Sequence, residues 1–583
     1  MVNKNINKNV EHPFPYKKIL YTNDDIHKMM DNLKQYNYED RIKILKRNYK
    51  IYNLLGSGKK GNIKGGFVPN ELVFLGKPTI LINKNSDYED FNLLSDMFNE
   101  DCRMRCKWFS AELSPIDYWN KYYNKIVEQA KKYPITKNNS NHNRSDRKVN
   151  SRSRKIKSGG NNKLIDINTA DGAYNLRETI YKMMNKKECT SFRPSNLVAI
   201  AKMFNSKKIL DFSAGWGDRL IAAISMDDNI KYYCGVDPNP CVHNGYNEMI
   251  KFFGVDSKKY MLIESPFEEA KLPARKKFDL IFTSPPYFDT EDYDPSNING
   301  NQSLERYPSE KKWFNNFLMV SLRKCWKVLE SDGHMVIIIN QRDRRHQTYV
   351  KDMVMAVNCG DDFKDALYLG VISYANEKIK NPQPMFIWRK VKRGAYPIPD
   401  TLFSSKRLYV RNFSIKDVPQ MASIMDKKEN MKWIANGSTK DFEQVYNMVS
   451  KYINDAYTMY PIIMKKTIKS WTEKKSEKMS DTLIGYIGYY EGKWLKHPYL
   501  RGKYLTRILI DTKYQGKGYG SEIYSAFIQW IFTQLKNVKS VYAMISVENE
   551  SSISFHLKRG FKLDKKDLLF HNHKYNIYSI NNN

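Results

Sequence analysis

Apolar and polar positions along the chain follow two rhythms, and the rhythm changes from region to region. From Leu93 to Ile126 apolar residues recur at helical spacing, and Ser114-Pro115 interrupts them as the cap and first-turn proline of a new helix. Lys208 to Phe212 reads as a short buried strand, followed by a helical period from Arg219 through Ile224. Tyr232 to Val236 and Phe278 to Thr283 predict two more buried strands. Later, Leu483 to Tyr489 alternates as a strand, Tyr504 to Ile510 and Val541 to Val547 read as others, and Ile523, Phe527, Ile528 and Ile531 mark one face of a helix. Two stretches carry no rhythm. Pro134 to Lys163 is mostly Asn, Ser, Gly, Lys and Arg, and Lys392 to Lys406 is broken by Gly394, Pro397 and Pro399. The chain is therefore expected to comprise a mainly helical N-terminal region (1–134) without an assigned function, a basic flexible linker (135–163), an α/β middle domain (164–391) and an α+β C-terminal domain (407–583).

Composition agrees with several units and adds a partner. A chain of 583 residues exceeds what one core serves. The formal net charge of +33 favours polyanions, nucleic acid first, although the joint abundance of Lys, Asn, Ile and Tyr also fits an AT-rich coding sequence. Apolar runs such as Met335 to Ile339 are far shorter than the roughly 18 residues that span a bilayer, so no membrane helix is expected. Met1 to Val10 has no apolar stretch and does not read as a secretory signal. Seven cysteines without a CxxC pair argue against a disulfide framework and against a metal site, and predict a reducing, intracellular setting. Cys102 and Cys106 share one helical face and read as buried small residues.

The middle domain carries the first chemistry. The predicted strand ending at Asp211 runs into Ser213-Ala214-Gly215-Trp216-Gly217-Asp218 and then a helix, the opening unit of a nucleotide-binding sheet, with glycines where a ligand approaches backbone. The next strand ends in Asp237, where a carboxylate meets a ribose diol. Phe278 to Thr283 ends in Ser284-Pro285-Pro286-Tyr287. An exocyclic amine on a base is a poor nucleophile because its lone pair is delocalised into the ring. Ser284 Oγ and the Pro285 carbonyl would accept its two N–H bonds, the prolines would stiffen the loop, and Tyr287 would stack an extruded base. The plain alternative is a Pro-Pro strand end with Tyr287 capping the core. Trp108, Phe109, Tyr118, Trp119, Tyr122 and Tyr123 read chiefly as core, with base stacking as the alternative.

These residues resemble the class I S-adenosylmethionine-dependent amino-methyltransferases that act on DNA adenine N6 or cytosine N4, in a phage- and virus-type subgroup. The resemblance spans about Phe192 to Asn340 and includes Phe212 to Gly217, Ser284 to Asp289, Gln302-Ser303, Arg306-Tyr307-Pro308 and Trp313. It implies a Rossmann-like seven-stranded domain and S-adenosylmethionine as cofactor, held by Asp211, Gly215, Gly217 and Asp237. Phe192 to Ser195 would lie near its carboxylate and Glu268 near its adenine. Ser284, Pro285, Pro286 and Tyr287 become the catalytic tetrad of a direct displacement that needs no metal. DNA is favoured over RNA as the methyl acceptor, and an RNA or protein acceptor stays open.

A second chemistry follows Arg407. Gln515-Gly516-Lys517-Gly518-Tyr519-Gly520 leads into a helix, and consecutive N–H groups there form an anion cradle suited to a pyrophosphate. With Asn549 and Arg559-Gly560-Phe561 downstream, residues from about 407 to 575 resemble the GNAT N-acetyltransferases. The resemblance implies acetyl-CoA as cofactor, the loop Gln515 to Gly520 on its pyrophosphate, Asn549 along its pantetheine arm, and a carbonyl-polarising strand N–H at Leu509 or Ile510. Where the family often has a tyrosine proton donor this chain has His556, which reads equally as an imidazolium donor or a surface residue. Glu491 and Asp511 are candidates for general base. The combined expectation is a bifunctional transferase in the cytoplasm, including that of a virus-infected host cell. A nucleic-acid-binding scaffold with decayed enzyme domains is the alternative.

Overall fold

The computed structural model describes residues 12–37, 42–45, 79–84, 90–133, 169–186, 188–295, 300–340, 348–376, 383–392, 396–434, 437–454, 458–465, 482–535 and 537–582. The predicted linker 135–163 lies outside the described residues. The chain is a mixed α/β protein that divides into two compact units near residue 392, with 351–368 joining the C-terminal one. No described helix is long and apolar enough to cross a membrane.

The first unit is built on a nine-stranded sheet of β1 (Ile42–Leu45), β2 (Thr79–Lys84), β4 (Lys208–Asp211), β5 (Tyr232–Asp237), β6 (Tyr260–Glu264), β7 (Phe278–Thr283), β9 (Leu329–Ile338), β10 (Ala366–Asn376) and β11 (Gln383–Lys390). Its spatial order is β1-β2-β10-β11-β9-β7-β4-β5-β6. Strands β6, β5, β4, β7 and β9 run parallel, and β11 is antiparallel to β9. Strand β4 has β5 on one side and β7 on the other, so the winding direction reverses there. Crevices for ligands form at the carboxyl ends of strands beside such a reversal. Central strands buried on both faces need continuous apolar runs, and Leu280 to Phe282 supplies one within β7, fully buried.

The described N-terminal residues are mainly helical and pack into the core of the first unit. The helix Asn23–Lys34 buries Ile26, Met29, Met30 and Leu33, at helical spacing, in the same core as Leu197, Leu220, Tyr246 and Leu280. The helix Pro115–Lys132 begins as its sequence predicts, with Ser114 Oγ accepting the Asp117 N–H at 3.2 Å. Lys17, Arg103 and Arg177 meet Asp96, Glu100 and Glu188 in a largely buried ionic cluster, which ties the start of the chain to helices Asp96–Arg105 and Ala170–Met184. The cysteine reading is corrected too. Disulfides join Cys102 to Cys241 and Cys106 to Cys189, cross-linking residues 139 and 83 positions apart. Cys102 and Cys106 stand one helical turn apart, as their spacing says, but their partners arrive from distant segments that no local pattern reveals. A two-stranded ladder of β3 (Lys107–Trp108) and β8 (Glu291–Asp292) completes this unit.

The C-terminal unit holds an eight-stranded sheet, β12 (Thr401–Ser404), β13 (Leu408–Arg411), β14 (Thr458–Met464), β15 (Thr482–Glu491), β16 (Tyr504–Ile510), β17 (Ser540–Ser546), β18 (Lys562–Phe570) and β19 (His573–Asn581). The order is β12-β13-β14-β15-β16-β17-β19-β18, with neighbouring strands antiparallel except β16 with β17. The helix Tyr519–Gln534 packs Ile523, Tyr524, Phe527 and Ile531 against the sheet core.

Candidate functional site

In the first unit, the sequence-predicted residues converge at the carboxyl ends of β4, β5 and β7. Asp211 ends β4 and is completely buried. Its carboxylate accepts from Arg219 Nε at 2.7 Å, Tyr233 Oη at 3.0 Å and Thr283 Oγ1 at 2.9 Å. It is therefore committed to fastening β4, β5, β7 and the following helix together, and reaches a ligand only through what it positions. The turn after it needs left-handed backbone at Gly215 (φ 59°) and Gly217 (φ 92°), which glycine adopts without a Cβ clash. At Gly217 an added Cβ would sit 2.7 Å from Met249 Cε, so that residue is also fixed by packing.

Asp237 is half-buried and accepts the Gly215 N–H at 2.8 Å and the Asn239 N–H at 3.0 Å. Each oxygen retains a lone pair for a hydroxyl donor. Burial raises its pKa, against those two backbone bonds. Ser284 and Tyr287 follow the end of β7. Burial pushes the Tyr287 hydroxyl up to about 12, and the nearby Ser284 side chain opposes this. Ser284 Oγ has acceptor lone pairs. Pro285 is buried and Pro286 half-buried, and the loop closes with Thr290 N–H donating to Tyr287 O at 3.0 Å. Glu268 is held by Tyr307 Oη at 3.0 Å and Arg306 Nε at 3.3 Å, so two residues of the Arg306-Tyr307-Pro308 stretch engage it.

Several residues of this site carry no local sequence signal. Asn99 Nδ2 donates to Trp216 O at 3.0 Å, and Tyr246 Oη donates to Gly215 O. Asp218 is buried and accepts from Ser95 Oγ at 2.5 Å and from the Phe192 N–H at 3.1 Å, while burial raises its pKa to about 7. The Arg219 guanidinium lies 4.9 Å from the centre of the Phe192 ring. Ser195 Oγ is buried with no hydrogen-bond partner among the described residues. The N-terminal helix Asp96–Arg105 thus braces the glycine turn directly, a long-range arrangement that spacing cannot announce.

In the C-terminal unit the decisive geometry is a gap. The parallel ladder of β16 with β17 registers only Tyr504 with Val541 and Leu505 with Tyr542, and beyond that the strands have no registered pairs. Asp511 N–H donates to Ile484 O at 2.8 Å across the antiparallel β15 pairing. By alternation Leu509 also directs its amide to β15, whereas Ile510 directs its amide away, to the β17 side. Of the two candidate N–H groups, Ile510 is the one on the open side. The loop beyond is exposed from Gln515 to Gly518, with Gly516 (φ 71°) and Gly518 (φ 78°) left-handed, and Gln515 Nε2 donates to Ile510 O at 2.7 Å. Lys517 is exposed and donates from Nζ to Lys513 O at 3.0 Å, and Tyr519 and Gly520 open the helix. Glu522, in its first turn, accepts from Ser405 Oγ at 2.6 Å and Arg407 Nε at 2.7 Å. Burial alone would raise the Glu522 carboxyl, but these bonds hold it down to about 2. The Arg407 guanidinium lies 4.2 Å from the centre of the Tyr519 ring.

Residues 407–562 match the acetyltransferase (GNAT) domain family. The C-terminal unit carries a GNAT acetyltransferase domain. Among solved structures, a GNAT-family acetyltransferase from Bacillus anthracis is similar at 21% identity over 30% of this chain and 94% of its own, with TM-score 0.24. An acetyltransferase from Agrobacterium tumefaciens is similar at 18% identity over 33% and 99%, with TM-score 0.25. An aminoglycoside acetyltransferase in complex with coenzyme A is similar at 15% identity over 30% and 94%, with TM-score 0.24. No curated protein matches the chain.

Within the GNAT domain, His556 fits neither sequence reading. It is 5% exposed, so it is not a surface residue. Nδ1 lies 2.7 Å from Ser552 O and Nε2 lies 3.1 Å from Tyr524 Oη. A carbonyl only accepts, so Nδ1 carries the proton and the neutral ring accepts the Tyr524 O–H at Nε2. Burial and, to a smaller extent, the Arg559 charge lower the His556 pKa to about 4, against the bond to Ser552. An imidazolium donor is therefore not what the site holds near neutral pH. The chain continues through Thr506 Oγ1, 2.7 Å from Tyr524 Oη and 3.1 Å from Tyr542 O, where the registered β16–β17 pairs end. Asn549 caps the helix bearing His556, its Oδ1 accepting the Ser552 N–H at 3.1 Å. Asp511 is engaged by Lys427 Nζ at 3.0 Å and Asn430 Nδ2 at 3.0 Å, and these bonds lower its pKa against the effect of burial. Glu491 pairs with Lys493. Asp511, so held, is not poised to take a proton.

Proposed function

We propose that the chain is a two-enzyme fusion. Its GNAT domain transfers an acetyl group from acetyl-CoA to an amine, and its N-terminal unit transfers a methyl group from S-adenosylmethionine to an exocyclic amine of a nucleic-acid base. Acetyl transfer rests on the gap between β16 and β17 beside a glycine loop that opens a helix. Acetyl-CoA supplies a thioester carbonyl open to attack by an amine. Backbone N–H groups from Gln515 to Gly520 would hold its pyrophosphate, where two left-handed glycines keep side chains out of the way. The Ile510 N–H would donate to the carbonyl oxygen as negative charge develops there. Tyr524, Thr506 and neutral His556 brace the closed end of the gap. Acetyl-CoA titrated into the full chain by calorimetry, followed by radiolabelled acetyl transfer to a panel of amines, tests this. Absence of acetyl-CoA binding would refute it.

The methyl-transfer reading is carried by the strand order, in which Asp237 and the Ser284 to Tyr287 loop end neighbours of the reversal strand β4. S-adenosylmethionine supplies an electrophilic methyl on a sulfonium. Gly215 and Gly217 leave room for it, and Asp237 retains lone pairs for the ribose hydroxyls. Ser284 Oγ and the Pro285 carbonyl would accept the N–H bonds of the amine, and Tyr287 would stack the base. DNA is the favoured acceptor, at adenine N6 or cytosine N4. The test is radiolabelled methyl transfer to DNA, RNA and basic protein, with Ser284→Ala and Tyr287→Ala as controls. Methyl label confined to protein or small molecules would overturn the base as acceptor.

A further inference from the structure

Resting on the acetyl-transfer reading, the geometry points to Arg507 as the residue that selects the acetyl acceptor, an amine that also carries an oxyanion group. Arg507 lies on β16 just past the last registered pair with β17, Leu505 with Tyr542. Side chains along a strand alternate between its two faces. Thr506 Oγ1 meets Tyr524 Oη of the helix Tyr519–Gln534 at 2.7 Å, so that helix covers the face of Thr506. Leu505 packs instead with Leu568, Ile577 and Tyr490, a cluster apart from the helix core. Arg507 shares the face of Leu505. Its partner across the antiparallel ladder is Gly488, which has no side chain, and Tyr486 and Tyr490 flank Gly488 along β15. The Arg507 guanidinium lies 5.1 Å from the centre of the Tyr490 ring.

A positive charge drawn partly out of water is ordinarily matched by a carboxylate. Arg407 is so matched by Glu522, and Arg411 by Asp417, in the same domain. Arg507 is partly buried and has no ion pair with a carboxylate among the described residues; the titratable groups that act on it most are the phenols of Tyr486, Tyr490 and Tyr452. Phenols are neutral near pH 7, so the charge is left for a ligand. The planar guanidinium, steadied against the Tyr490 ring, presents a fork of donors that fits a carboxylate or a phosphate. Ile510, whose N–H faces the gap, follows three residues along β16, about 10 Å at the rise of a strand. The glycine loop opens the helix on one face of the sheet and Arg507 stands on the other, so the acceptor enters from the face opposite the cofactor's pyrophosphate. Its amine nitrogen bonds to the thioester carbon, the C–S bond breaks, and the sulfur leaves with the proton that the nitrogen gives up.

Full-length wild type, Arg507→Met, Arg507→Lys and Arg507→Glu are assayed for acetyl transfer to propylamine, β-alanine, aminoethyl phosphate and diaminopropane, and to a short peptide with Asp after its N-terminal residue and the same peptide with Asn there. Acetyl-CoA affinity is measured by calorimetry. Wild type is expected to favour the anionic member of a pair by about tenfold in kcat/KM, and the member that leads tells a carboxylate from a phosphate and a free amino acid from a peptide. Arg507→Met should raise KM for that amine about tenfold at unchanged acetyl-CoA affinity, and Arg507→Lys should keep part of the preference. Arg507→Glu should turn the preference toward diaminopropane, an inversion that loss of packing does not produce. Acetyl-CoA binding by wild type with no anionic amine favoured or acetylated, or an equal loss on every amine in Arg507→Met, would overturn the inference alone. Absence of acetyl-CoA binding would overturn the acetyl-transfer reading and the inference together.

Discussion

His556 should make the stability of the GNAT domain depend on pH in a way that a single substitution removes. In the folded domain its pKa is lowered to about 4 from 6.5, chiefly by burial. The unfolded chain therefore binds the proton first, and the stabilisation is fully present above pH 6.5 and lost as pH falls from there toward 4. The complete effect is about 3 kcal/mol, of which about 2 kcal/mol disappears between pH 7 and pH 5. His556→Phe keeps a buried ring but removes the acceptor of the Tyr524 O–H. It should cost about 1 kcal/mol at neutral pH, and the variant's own stability should not vary with pH through this site. Hydrogen exchange pulsed along a urea series at pH 7, 6 and 5, read on peptides from Tyr519–Gln534 in the full chain, measures both terms. As pH falls wild type should lose its advantage and drop below the variant, by about 1 kcal/mol at pH 5. If their denaturation midpoints stay a constant distance apart from pH 7 to pH 5, His556 titrates normally and the buried neutral relay is wrong.

Three further outcomes are expected. Gly518→Ala places a Cβ at φ 78° and 3.3 Å from Arg407 Nη2, so the loop should strain by about 1 kcal/mol and acetyl-CoA affinity by calorimetry should fall about tenfold. Asp211→Asn strips the counter-charge from buried Arg219 and should destabilise the first unit by about 3–5 kcal/mol, read as an earlier thermal transition; an unchanged transition would contradict the hub role. Peptide mapping without reductant should recover the linked pairs Cys102–Cys241 and Cys106–Cys189, and reduction should cost about 2–4 kcal/mol per bridge. Free thiols at all four positions would refute that pairing.

What the sequence determined by itself was local. Burial from both sides favours an apolar run, so Leu280 to Phe282 made Phe278 to Thr283 legible as a buried strand, and the Ser114-Pro115 cap marked a helix start because capping is a contact over three residues. The glycine loops were legible for the same reason: a left-handed turn at a helix N-terminus leaves its mark in adjacent residues such as Gly516 and Gly518. Tertiary structure alone decided the rest. The commitment of Asp211 to Arg219, Tyr233 and Thr283 involves residues up to 72 positions apart, and Asn99 reaches the glycine turn across 117. The choice of Ile510 over Leu509 depends on which neighbour each amide faces, a property of strand pairing rather than of either residue. His556 is a neutral buried acceptor because Tyr524 and Ser552 enclose it, and imidazole, whose charge is decided by its surroundings, is the side chain least readable from sequence.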